Sequence, residues 1–241
     1  MLQNLKSDLR KFSSPAKKNV LQKFFKTGKG EYGYGDVFLG VMVPESRLIA
    51  IKYKGLSFAD IKKLLASPVH EEILVALLIL VHNFQIGSAQ HKRQIFRYYL
   101  KNARYINNWD LVDLTASKIV GAYIFSADVG SAFGVENKKQ SPILSKLANS
   151  KNLWERRIAV IATFYFIQQK SYKGFFAIAE KLLNDPHDLI HKALGWMLRE
   201  VGKRDLPAEI KFLNQYHKKM PRVMLRYAIE KFPENLQKKY L

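Results

Sequence analysis

Apolar residues recur at intervals of three and four along almost the whole chain, while alternation of period two is scarce. Such spacing lines up apolar side chains on one stripe of a helix. It predicts helices over 2–12, 15–27, 44–54, 57–66, 69–86, 88–103, 108–124, 141–149, 152–170, 172–184, 186–203, 206–218, 221–231 and 233–239. Helix-start signals support the reading: Ser14-Pro15, Ser57 with Asp60 three residues on, Ser67-Pro68, Ser141-Pro142 and Asp185-Pro186. Only 28–40 and roughly 125–138 lack the period. Two helices, around Ile73–Val81 and Ile158–Ile167, are apolar nearly all round and should lie in the core. The expected fold class is all-α, with one domain over residues 1–241.

Helices of this length with short connections suit either a bundle or a stack of helical repeats. The tryptophans favour the stack. Trp109, Trp154 and Trp196 each open or lie in a helix with charge on the next turn, at spacings of 45 and 42 residues. The acidic helix start at Glu71-Glu72 lies a further 37 residues before Trp154's predecessor Trp109. HEAT-type repeats have a period of about 40–47 residues. A curved α-solenoid of HEAT-like repeats is therefore expected, presenting a long concave surface.

Composition narrows the possible chemistry. The 241 residues are 48% hydrophobic and include no cysteine, which removes disulfides, thiolate metal sites and cysteine nucleophiles. The longest apolar run, Ile73 to Val81, is too short for a bilayer span, and MLQNLKSDLRKF has no signal-peptide core. A soluble cytoplasmic protein is expected. Charge then suggests a partner. Forty Lys and Arg oppose twenty Asp and Glu, a formal +20. The excess is +6 over residues 1–60, +8 over 61–180 and +6 over 181–241, so no basic tail carries it. A compact chain under that self-repulsion is suited to a polyanion. Nucleic acid is the first candidate, an anionic membrane surface the second, and a merely basic soluble protein the bland alternative.

Two motifs fail on context. Gly28-Lys29-Gly30-Glu31-Tyr32-Gly33 spells a dinucleotide fingerprint, but a helical Leu21–Thr27 precedes it rather than a strand. It reads as a glycine loop whose amides, beside Lys26, Thr27 and Lys29, could meet a phosphate oxygen. His187 and His191 share a zinc-ligand spacing but have neither the glutamate nor a third ligand that a metal site needs. No metal and no cofactor is expected, and no nucleophile elbow serves a Ser-His-Asp triad.

Asn107-Asn108-Trp109-Asp110-Leu111-Val112-Asp113 is more informative. Asn108 can cap, and Trp109 and Asp113 then fall at i, i+4 on one helical face. A helix N-terminus whose acids complement the macrodipole explains Asp110 well. It explains Asp113 less well, a turn further in and beside a large aromatic. On a surface that meets phosphates such a carboxylate is electrostatically costly, so structural and functional readings stand about level at this point.

Together with FFKTGKGEYGYGDVFLGVMVP (24–44), NNWDLVDLTASKIVG (107–121), NLWERRIAVIATFYFI (152–167), HKALGWMLREVGKRD (191–205) and MPRVMLRYAIEKF (220–232), this segment makes the chain resemble the DNA alkylation repair family of AlkD-like HEAT-repeat glycosylases. The resemblance implies an all-α superhelix whose basic concave face binds duplex DNA; a long concave surface needs no second copy, so a monomer is expected. It also implies hydrolysis of the N-glycosidic bond of cationic N7- and N3-alkylpurines in base excision repair. By the same resemblance Asp113 is the catalytic carboxylate, Trp109 and Trp196 flank the lesion nucleotide, and Arg157 and Arg199 contact phosphates. Lys218, Lys219 and Arg222 lie where the likeness is in packing residues, so charge alone suggests them as DNA contacts. Relatives that bind branched or damaged DNA without catalysis supply the alternative, and a protein-binding helical scaffold is the third.

Overall fold

The computed structural model describes residues 1–129 and 141–241, which divide into two compact units, Met1–Thr115 and Ala116–Leu241. The described residues are helical throughout, apart from loops and one isolated parallel bridge between Val37 and Val69. The all-α expectation holds.

The first unit contains α1 (Leu2–Arg10), α2 (Pro15–Phe24), α3 (Val43–Lys52), α4 (Phe58–Leu65), α5 (His70–Ile86), α6 (Ala89–Lys101), a 3-10 turn (Ala103–Tyr105) and α7 (Trp109–Ala116). Its centre is α5, against which α3, α4 and α6 pack. The run Ile73–Val81 is buried on every side, as its all-round apolar character requires. Serine caps fix two of the neighbours: Ser57 Oγ accepts from the Asp60 amide and Ser88 Oγ from the His91 amide.

The start of α5 is buried as well, and it organises the loop that precedes α3. Glu71 accepts the amides of Leu39, Gly40 and Val41 at 2.8–3.2 Å. Glu72 pairs with Lys6 at 2.7 Å, which ties α1 to the same point. The Val37 amide donates to the Pro68 carbonyl and the His70 amide to the Val37 carbonyl, both at 2.9 Å. Gly40 has φ +82°, and a Cβ there would sit 2.2 Å from the Ser14 carbonyl oxygen, so only glycine lets the loop pass α2.

The second unit opens on a π-turn (Ser117–Gly121) that runs into α8 (Ala122–Val129). It continues with α9 (Pro142–Ala148), α10 (Leu153–Gln168), α11 (Lys173–Lys181), α12 (Asp188–Gly202), α13 (Leu206–Tyr216), α14 (Arg222–Ile229) and α15 (Glu234–Lys238). The π-turn, α10, α12 and α14 pack in succession, while α9 and α11 lie on α10, and α13 lies on α12. Within this unit the 42-residue spacing of Trp154 and Trp196 therefore relates two successive members of a helical stack. Close approach needs glycine: a Cβ on Gly121 would lie 2.2 Å from the Ala162 carbonyl oxygen, and one on Gly195 2.4 Å from that of Met224.

Three expected boundaries are corrected. The helix expected over 15–27 stops at Phe24 because Lys26 takes φ +50°, turning the chain so that the Gly33 amide donates back to its carbonyl. The helix expected over 108–124 is interrupted by the π-turn, a one-residue insertion that apolar spacing does not reveal. Residues 125–129, expected to be irregular, complete α8, and 130–138 lie outside the described residues.

Candidate active site

The first unit displays the Trp109–Asp113 face. Both residues lie on α7, one turn apart and half-buried. Trp109 is held on several sides. Its indole stacks on Phe25 at 5.1 Å and meets Phe24 edge-on at 5.8 Å, and its Nε1 donates to the Tyr32 hydroxyl at 3.1 Å. Phe24 itself is 60% exposed, so the aromatic cluster reaches the surface. The phenol of buried Tyr99 is pushed up by burial first and by the charge of the Asp113 carboxylate in addition. Tyr99 and Thr115 share a hydrogen bond at 2.9 Å.

Beneath Trp109 lies a buried polar network. His70 is 2% exposed; its Nε2 is 2.8 Å from Asp110 Oδ2 and its Nδ1 3.4 Å from Asp36 Oδ2. Asp36 also accepts from Asn107 Nδ2 at 2.7 Å and from Asn108 Nδ2 at 3.3 Å. Burial opposes a charged imidazole, but the charge and hydrogen bond of Asp110, followed by those of Asp36, outweigh it and push His70 up to about 9. Asp110, 9% exposed, is therefore a partner of His70 more than a solvent-facing complement to the helix dipole. Asn108 does cap, though through the Trp109 amide at 2.8 Å.

The glycine loop owes much of its sequence to packing. A Cβ on buried Gly33 would lie 2.5 Å from the Phe25 carbonyl oxygen, and the Gly28 amide donates to the loop's own Glu31 carboxylate at 2.8 Å. Lys26 and Lys29 are exposed beside it, whereas Thr27 is half-buried and bonded through its hydroxyl to Gln22.

The remaining expected site residues belong to the second unit. Trp196, half-buried on α12, packs beside Phe164 at 5.8 Å, and Gly195 before it admits α14. Arg199 on the same helix pairs with Glu230. Arg157 is 5% exposed and spends Nη1 on the Leu189 carbonyl, so among the expected phosphate contacts it is the one buried in the helical stack. A cavity of about 140 Å³ near Arg199 is lined also by Gly202, Lys203, Glu209, Lys231 and Phe232. There Glu209, 1% exposed, is pushed up to about 8 by burial, with Arg199 opposing.

Sequence reasoning missed His70, Asp36, Phe25 and Tyr32. The usable signal was His70-Glu71-Glu72 directly before an all-round apolar helix: polar residues placed there enter the core with the helix and need internal partners.

Solved structures share this fold. One described as "Predicted DNA alkylation repair enzyme from Enterococcus faecalis" superposes with a TM-score of 0.67 at 15% identity, covering 92% of this chain and 97% of the other. AlkD2 from Streptococcus mutans gives 0.53 at 18% identity, covering 90% and 97%. No curated protein sequence matches. The family model described as "DNA alkylation repair enzyme" matches residues 5–232. With that match over nearly its whole length, the chain belongs to the DNA alkylation repair enzyme family.

Proposed function

We propose that this chain is a monofunctional DNA glycosylase that hydrolyses the N-glycosidic bond of cationic N7- and N3-alkylpurines in duplex DNA. The observation that carries the reading is the Trp109–Asp113 face: a fixed indole beside a carboxylate on one turn of α7, in a chain of net charge +20. Alkylation makes the purine cationic, so it leaves with the bonding electron pair and needs little help from an acid. The barrier then lies in the positive charge developing on the deoxyribose. The Asp113 carboxylate stabilises that charge and orients a water for attack at the anomeric carbon, yielding free base and an abasic site.

Aromatic faces from Trp109 and Trp196 favour a cationic nucleotide over a neutral one. Lys26 and Lys29, with Thr27 between them, supply phosphate contacts from the glycine loop, and Arg199 supplies another from α12. Affinity so built falls with salt, by about 0.9 in log–log slope for each neutralised phosphate.

The test is release of 3-methyladenine or 7-methylguanine from methylated duplex DNA. Wild-type protein should release free base and Asp113→Asn should not. No release by the wild type removes the activity, and equal release by Asp113→Asn removes the role of Asp113. Tight binding of branched DNA without release would establish the non-catalytic alternative.

A further inference from the structure

The residues on both sides of Trp109 are tied to one buried carboxylate–imidazole–carboxylate chain. Asn107 and Asn108 donate to Asp36, Asp110 faces His70 Nε2, and His70 Nδ1 faces Asp36 again. Only an imidazolium has a proton for each of the two carboxylates; a neutral ring turns a lone pair toward one of them. The ring is also layered into the aromatic cluster. Phe38 stacks on it at 4.5 Å and Phe25 lies at 5.2 Å, the same Phe25 whose ring stacks on Trp109. His70 therefore reaches the indole by two routes, through Asp110 and through Phe25, without touching the surface.

We infer that His70 is a positioning residue for the Trp109–Asp113 face: as an imidazolium clamped between Asp36 and Asp110, it fixes the Asn107–Asp110 turn and thereby the plane of the Trp109 indole before DNA arrives. The inference rests on the glycosylase reading for its consequence in catalysis, though not for its effect on the indole. The charged groups facing the ring are Asp110 from α7 and Asp36 from the loop. On its own helix Glu71 is engaged by the Leu39–Val41 amides, and Glu72 by Lys6 and Arg10. Loss of the proton near pH 9 leaves two carboxylates facing a neutral ring, and the turn loosens.

The experiment uses full-length protein labelled with 5-fluorotryptophan, its Trp109 line assigned by the sample that lacks it, Trp109→Phe. In the wild type the Trp109 fluorine line should move with a midpoint near pH 9 while the fold persists; in His70→Gln that step should be missing. A line unchanged between pH 7 and 10 in the wild type overturns the inference. So does the same step in both proteins, which would assign it to a group other than His70.

Single-turnover release of 3-methyladenine at neutral pH should fall in His70→Gln by about 10- to 100-fold, the range over which residues behind a site act. Affinity for undamaged duplex should stay within about twofold, since no phosphate contact is lost. Wild-type release in His70→Gln overturns the positioning role. A wild type that releases no base overturns the glycosylase reading instead, and the fluorine titration still decides His70.

Discussion

The indole N–H of Trp109 donates to the hydroxyl of Tyr32, 77 residues earlier in the chain, across 3.1 Å. This bond fixes rotation of the indole about its own axis, which stacking on Phe25 alone leaves free. Tyr32→Phe should therefore cost only about 1 kcal/mol of stability, read as a small drop in urea midpoint. Its larger effect should be on base release, lowered several-fold as the indole loses its orientation.

Two buried groups set the response of stability to pH, and both act in the same direction. The folded-state value of His70, about 9, lies above the ordinary 6.5, so its contribution is full below pH 6.5 and is lost as pH rises through 9. Glu209, raised from 4.5 to about 8, keeps in the folded state a proton that the unfolded chain releases, so stability declines between those values. Urea midpoints should fall from pH 7 to 10, above the range in which His187, lowered by burial, acts in the opposite direction. Glu209→Gln should flatten the lower part of the slope and gain on the order of 1–2 kcal/mol at pH 8. His70→Gln should flatten the upper part.

Glu71 closes the loop before α3 by accepting three consecutive amides. Glu71→Gln keeps one carbonyl oxygen but turns an NH2 group toward those donors. The expected loss is about 2 kcal/mol, seen in thermal unfolding, with earlier proteolysis between Gly28 and Met42.

Gly195→Ala should separate α12 from α14. The added methyl meets the Met224 carbonyl at 2.4 Å and the Tyr227 Cβ at 2.6 Å, both parts of the opposing helix that cannot swing aside. Overpacking of this kind costs about 1–3 kcal/mol. A fall in melting temperature should come with a changed emission of the adjacent Trp196.

Much of the fold was legible because helix boundaries follow from local chemistry. Ser57, Ser88 and Asn152 cap where a small polar residue precedes an apolar stripe, and Ile73–Val81 is buried as its composition demands. The Trp109–Asp113 spacing was legible for the same reason, since i, i+4 holds on any helix. What supports that face was not legible. Asp36, His70 and Asp110 are separated by 34 and 40 residues, and their partnership depends on how α5, α7 and the loop dock. The π-turn after Ala116 was hidden because its extra residue carries no signature of its own. Arg157 shows the opposite limit: the family resemblance implied a phosphate contact, and packing buries the residue against Leu189.

No side chain of α2 is buried; it is held by the Ser14 cap, the Gln22 amide bridging Asp36 and Phe38, and the bare backbone of Gly40. Its residues 15–21 can thus open without exposing a core, and their amides should exchange with solvent through local fluctuation, long before those of α5. Lys17 and Lys18 ride on that open segment, while Lys23 stands next to Phe24, whose ring meets the Trp109 indole. Native-state hydrogen exchange would see the two as separate cooperative units: a soft cationic edge laid over a hard aromatic floor.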